Sequence, residues 1–98
     1  MAEFKIALNG NGSKAFFRVL ANETCRKILN LLSIYPHLSV SALAKQIGIT
    51  EASISYEVKH LIEVGLVSAK FSPGKHGVKK NVHLAHSSIL IDLKVEIH

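Results

Sequence analysis

The chain has 98 residues, 48% of them hydrophobic, with 12 Lys and Arg against 7 Asp and Glu for a formal charge of +5, which suits a single domain over residues 1–98 with a modest core and leaves no room for a second. The basic balance points to a polyanionic partner. No apolar run reaches the roughly 18 residues of a membrane span and no charged-then-apolar leader opens the chain, so a cytoplasmic protein without a membrane role is expected; the single cysteine, Cys25, excludes an intrachain disulfide and agrees with a reducing compartment.

In chain order, Phe4, Ile6 and Leu8 alternate with Glu3, Lys5 and Ala7 and stop at Asn9-Gly10-Asn11-Gly12, which predicts a strand over 3–8 and a turn. Ser13 is expected to cap a helix running to about Leu20, with Phe16, Phe17 and Leu20 inward. Asn22 should cap a second helix to about Ile34, whose buried stripe is Ile28, Leu31 and Leu32 and which Pro36 stops. Ser39 or Val40 opens a third helix with Val40, Leu43, Ala44 and Ile47 at spacings of three and four. The short turn Gly48-Ile49-Thr50 follows, and Thr50 caps a fourth helix that runs to about Val64 and ends at Gly65.

Beyond Gly65 the period changes to two. Val67, Ala69 and Phe71, then Val78 or Val82 with Leu84, predict a β-hairpin around a loop at Ser72–Lys80. Between Leu66 and His86 the chain carries Lys70, Lys75, Lys79 and Lys80 and no acid. Ser88 to His98 alternates Ile89, Ile91, Leu93, Val95 and Ile97 with polar residues and Leu90, which predicts a strand over 88–97, a helix being the alternative because Ile89, Leu93 and Ile97 also match a period of four. About four helices, a hairpin wing and extra terminal strands make an α+β fold.

The motif that carries chemistry is Val40–Leu61. Ala44, Gly48 and Ile54 fall where a helix-turn-helix needs a small residue at the helix crossing, a tight-turn residue and a buried anchor. On the second motif helix Ile54, Val58, Leu61 and Ile62 face inward, so Thr50, Ala52, Ser53, Ser55, Tyr56 and Lys59 are left to meet double-stranded DNA. Ala52 suits a thymine methyl, the serines and Tyr56 suit phosphates or base edges, and Lys59 suits a phosphate. Glu57 and Glu63 restrict groove entry to the first half of the helix. In the wing, Lys75, His76, Lys79 and Lys80 are expected on the adjacent backbone or minor groove, anchoring the backbone rather than reading bases because no arginine is present.

These features resemble the ArsR-like winged helix-turn-helix transcription regulators over roughly residues 17–84. The residues that carry the likeness are Leu20-Ala21-Asn22-Glu23-Thr24 with Ile28-Leu29, Leu38-Ser39-Val40 leading into Leu43-Ala44, then Ile54-Ser55, Leu61 and Gly65-Leu66-Val67. The resemblance implies a homodimeric regulator of promoter DNA, a repressor by expectation. Two departures stand out: Cys25 replaces the arginine that commonly follows the family's threonine, and neither terminal segment is the usual dimerising helix.

No metal or other cofactor is expected. The histidines His37, His60, His76, His83, His86 and His98 lack ligand spacing, and Leu38-Ser39-Val40-Ser41 stands where thiol sensors carry paired cysteines. Cys25 reads either as a redox switch or, beside an apolar stripe, as a buried inert thiol. With one aspartate, Asp92, no nucleophile–base grouping and no phosphate loop, the chain does not read as an enzyme. A protein-binding winged helix and a non-specific architectural DNA binder are the alternatives. The strands at 3–8 and 88–97 are expected to pair, within a subunit or across a two-fold axis, and their long apolar face favours dimerisation. No effector can be read from the residues.

Overall fold

The computed structural model describes residues 3–74 and 77–94. Its elements run β1 (Glu3–Ala7), α1 (Ser13–Ala21), α2 (Glu23–Ile34), β2 (Leu38–Ser39), α3 (Val40–Ile47), α4 (Glu51–Glu63), β3 (Val67–Gly74), β4 (Gly77–Leu84) and β5 (Ser88–Asp92). This is the α+β winged helix-turn-helix architecture: a helical layer, a hairpin, and a separate pair of strands.

Capping chemistry sets most of the helix boundaries. Asn22 accepts the Cys25 backbone N–H at 2.8 Å, Ser39 that of Ala42 at 3.0 Å and Thr50 that of Ser53 at 3.1 Å, each satisfying a first-turn donor that lacks an intrahelical partner. At the start of α1, Ser13 does not cap. The Gly10 carbonyl takes the Ser13 N–H into the preceding turn, so Gly12 holds the cap position and makes no side-chain bond. Gly48 ends α3 at φ +84°, its N–H on the Ala44 carbonyl at 2.8 Å. Gly65 closes α4 at φ +85° with two paired bonds, Gly65 N–H to Ile62 and Leu66 N–H to Leu61, both 3.0 Å. That reverse pairing brings Leu66 against Leu61, both buried.

One core joins the helices to the hairpin. Phe16, Cys25, Ile28, Leu43, Ile54, Val58, Leu61 and Val82 are its fully buried members among the described residues, with Leu32, Val40, Ala44, Leu66 and Val67 around them. Val19 belongs to it too, whereas the expected Phe17, Leu20 and Leu31 are only partly buried, and Ile62, expected inward, lies at the rim at 38% exposure.

The described strands form two sheets. In one, β2, β4 and β3 are antiparallel in that order, Leu38 opposite Val82, Val67 opposite Leu84 and Gly74 opposite Gly77. Pairing therefore continues through most of the predicted Ser72–Lys80 loop, because Phe71/Lys80 and Pro73/Val78 extend the alternation that begins at Val67. Val82 is the strand's buried valine, and Val78 stands 75% exposed. In the other sheet β1 and β5 run parallel, Phe4 beside Ile89 and Ile6 beside Ile91. Phe4 pins this pair to the core by stacking on Phe16 at 5.2 Å and meeting His86 edge-on at 5.0 Å. The expected strand at 88–97 stops at Asp92: the last rung is Leu8 N–H to the Asp92 carbonyl, and the Asp92 carboxylate then accepts the Lys94 N–H at 3.0 Å, turning the chain. Val95 and Ile97 lie outside the described residues.

A β-carbon at Gly48 would meet nothing within 4 Å, whereas one at Gly65 would lie 3.3 Å from Phe4. Gly48→Ala should therefore cost only backbone strain, about 1–2 kcal/mol, and Gly65→Ala should cost more. Denaturant midpoints equal to that of the parent chain would contradict the left-handed geometry at both sites.

Candidate nucleic-acid interface

The geometry of the surface starts from α4. Ile54, Val58 and Leu61 are at 0% exposure, which fixes the rotation of the helix and turns Ala52, Ser53, Ser55, Tyr56 and Lys59 to solvent, each of them exposed. Thr50 caps the helix and is itself exposed. Its hydroxyl accepts the Ser53 N–H and donates to the Ser53 hydroxyl at 2.9 Å, so the Ser53 O–H is free to reach outward. Tyr56, 63% exposed, is steadied by an edge-on contact with His60 at 4.6 Å.

A cleft flanks this ridge on each side. One, of about 610 Å³, separates α4 from the hairpin and is lined by Ser39 and Ser41 of α3's start, Glu51 and Ser55 of α4, and Val78, Lys79 and Lys80 of β4. The other, of about 510 Å³, separates α4 from the start of α2 and is lined by Asn22, Thr24, Ile49, Ala52, Ser53, Tyr56 and Glu57. A convex helix between two clefts bordered by three helix N-termini is a shape that enters a groove while leaving room for the phosphate walls on either side.

In the hairpin, Lys79 pairs opposite Ser72 and Lys80 opposite Phe71; as strand neighbours they leave from opposite faces, and both border the cleft. Lys75 and His76, the other expected wing residues, lie outside the described residues. Sequence reasoning missed Ser39, Ser41 and Val78 on one flank and Asn22 and Thr24 on the other. Their signal was present, since Ser39 and Asn22 are cap residues, but only the fold shows that both caps open beside α4.

Of the three acids of α4, Glu51 borders the hairpin-side cleft and Glu57 the other, and Glu57 and Glu63 have partners within the fold. Glu57 is half-buried and accepts a hydrogen bond from the Cys25 thiol at 3.4 Å, and Glu63 lies 3.5 Å from the His60 ring. Burial, with Glu57's hydrogen bond and charge beside it, pushes the Cys25 thiol up from 9.0 to about 12. That is the environment of an inert thiol and not of a redox switch. Among the described residues no three His, Cys, Asp or Glu side chains gather to hold a metal, and no helix is long and apolar enough to cross a membrane.

A sequence profile of the helix-turn-helix domain family matches residues 20–68, the segment from the end of α1 to the start of β3. No protein of curated function matches the chain. Among solved structures, HlyU from Vibrio cholerae N16961 is similar over 79% of this chain and 78% of its own, with a TM-score of 0.66 at 21% identity. The homodimeric winged helix-turn-helix DNA-binding domain (fragment 1-100) of Mb0332 from Mycobacterium bovis, a possible ArsR-family transcriptional regulator, is similar over 76% of this chain and 65% of its own, with a TM-score of 0.65 at 25% identity. Rv0081 from M. tuberculosis is similar over 76% and 71%, with a TM-score of 0.64 at 25% identity.

Two outcomes check the local chemistry. Thr50→Ala should cost about 1 kcal/mol through the lost cap, with Thr50→Ser near neutral. Cys25 should resist an aromatic disulfide reagent at neutral pH and react once the chain is unfolded. Since the folded thiol titrates near 12 rather than 9.0, its contribution is complete below about pH 9, and stability should fall as pH rises from there towards 12; rapid labelling of the folded chain at neutral pH would contradict this.

Proposed function

We propose, on the premise that the chain belongs to the helix-turn-helix domain family and is a DNA-binding transcription regulator of the ArsR-like winged type, that it recognises a specific duplex sequence as a homodimeric repressor in the cytoplasm, acting as one domain over residues 1–98. The observation that carries this reading is the exposed ridge of α4 standing between two clefts, with its apolar face locked in the core. The first half of α4 enters the major groove: Ala52 meets a thymine methyl, Ser53, Ser55 and Tyr56 meet base edges or phosphates, and Thr50 and Lys59 meet the backbone. Lys79 and Lys80, with Lys75 and His76 of the wing, lie on the adjacent backbone or minor groove. The start of α3, with Ser39 and Ser41, adds main-chain and hydroxyl donors for the intervening phosphate. Dimerisation rests on the terminal strands and presents two such ridges to successive major grooves, so the operator is an inverted repeat with half-sites about 34 Å apart.

Selection of bound duplexes from a random pool at moderate salt tests this. The expected result is an enriched inverted repeat. Salt-sensitive retention without enrichment would replace the reading with architectural binding, and no retention would replace it with protein recognition. On the selected duplex, Lys79→Ala and Lys80→Ala should each lower the slope of log K against log salt by about 0.9 without changing sequence preference, whereas Tyr56→Ala should relax discrimination by about 1–3 kcal/mol at one position of each half-site. Equal losses on every sequence from all three variants would contradict the division between reading and anchoring residues.

A further inference from the structure

Every residue of β5 is exposed, including Ile89 at 37%, Leu90 at 46% and Ile91 at 38%. Among the described residues the strand is paired on one side only, with β1, in a sheet of two strands. Such a pair is marginal in water, and an apolar strand edge is normally covered.

The open edge has a definite hydrogen-bonding pattern. Leu8 N–H donates to the Asp92 carbonyl, so the main-chain groups of Asp92 point to β1. By the alternation of a strand, those of Ser88 and Leu90 point the same way, and those of Ile89 and Ile91 point to the open side. An incoming strand therefore meets two donors and two acceptors, all from Ile89 and Ile91. The same two side chains share the face of Phe4 and Ile6, which looks towards the core.

A second copy of β5 satisfies this pattern. In an antiparallel pair centred on Leu90, Ile89 of one copy faces Ile91 of the other and exchanges both hydrogen bonds with it, and the two Leu90 residues form the intervening non-hydrogen-bonded pair. The run Ser88-Ile89-Leu90-Ile91-Asp92 is self-complementary about that centre: apolar faces apolar, and each Asp92 carboxylate lies across from a Ser88 hydroxyl, with the two carboxylates at opposite ends. A two-fold axis requires this self-matching.

We propose that β5 is the self-docking edge of the protein: two copies join through antiparallel β5–β5 pairing centred on Leu90, giving one four-stranded sheet in the order β1-β5-β5-β1. This rests on the homodimer reading above and supplies its interface. The four copies of Ile89 and Ile91 then lie side by side on a common face between the two helical layers, and both sheet pairs lose their marginal status.

The test uses the full chain. Leu90→Cys should form a disulfide-linked dimer under oxidised glutathione, because side chains at a non-hydrogen-bonded pair lie about 4.5–5.5 Å apart at Cβ; the parent chain with buried Cys25 and the variant Asp92→Cys should not. Leu90→Arg and Leu90→Glu should each weaken self-association at least tenfold in sedimentation, and mixing the two should restore a dimer. A monomeric parent chain at micromolar concentration would overturn the proposal, as would a dimer unaffected by either charge or one cross-linked through Asp92→Cys and not Leu90→Cys. Duplex binding is measured on the same samples. Binding without the Leu90→Cys cross-link sinks the interface and leaves the regulator reading in place, and the cross-link without binding does the reverse.

Discussion

The burial of one side of α4 is the constraint on which the rest depends. Ile54, Val58 and Leu61 lose all contact with water, and each such side chain contributes on the order of 1.5–3 kcal/mol, so the helix cannot rotate without exposing them. Its opposite side is thereby committed to solvent. Ala44 lets α3 approach it closely, the left-handed Gly48 turns the chain in the space of three residues, and the Thr50 cap starts the helix where its first turn is free. The positions of Ala52, Ser53, Ser55 and Tyr56 follow from packing on the far side.

A second coupling joins the hairpin to this unit. Ser39 pairs with Asn81 in the β2–β4 ladder and at the same time caps α3 through the Ala42 N–H. The edge of the wing sheet and the start of the motif are thus tied through one residue, beside the cleft that Ser41, Glu51, Ser55, Lys79 and Lys80 border. On the other flank Asn22 caps α2, whose N-terminus borders the second cleft. Cys25 lies one turn inside α2 and reaches Glu57 of α4. Where the resemblance leads one to expect an arginine, this chain has a buried thiol that links the two helices by donating to Glu57, an acid at the border of the second cleft.

The helical half was legible in the sequence because its signals are local. Cap residues, a turn glycine and apolar spacings of three and four each act within a few residues, and Asn22, Ser39, Thr50, Gly48 and Gly65 all took the roles their types imply. Ser13 did not, because a turn bond from the Gly10 carbonyl displaced the cap by one residue. The wing was harder. Pro73, Gly74 and Gly77 are turn formers by type, yet the ladder from Val67 to Leu84 carries them as strand residues. That the terminal strands pair was expected from their apolar alternation, and β1 does lie beside β5, but the parallel direction and register of that pairing were not legible. Alternation shows that a segment is a strand but not in which direction or register it pairs, and the parallel β1–β5 register joins residues more than eighty positions apart. For the same reason the flanking residues Thr24, Ser39 and Ser41 escaped a reading built on the motif alone: they come to the site only through the packing of α2 and α3 around α4.

The central claim is that one continuous surface, the first half of α4 with the starts of α2 and α3 and the strand carrying Lys79 and Lys80, is where duplex DNA sits. Mapping backbone amide shifts of the isotopically labelled protein during titration with its selected duplex tests this most directly. The account predicts perturbations concentrated at Asn22–Thr24, Ser39–Ser41, Thr50–Tyr56 and Val78–Lys80, with β1 and β5 unchanged. Shifts centred on β1 and β5, or on the far side of α2, with the Thr50–Tyr56 segment silent, would contradict it.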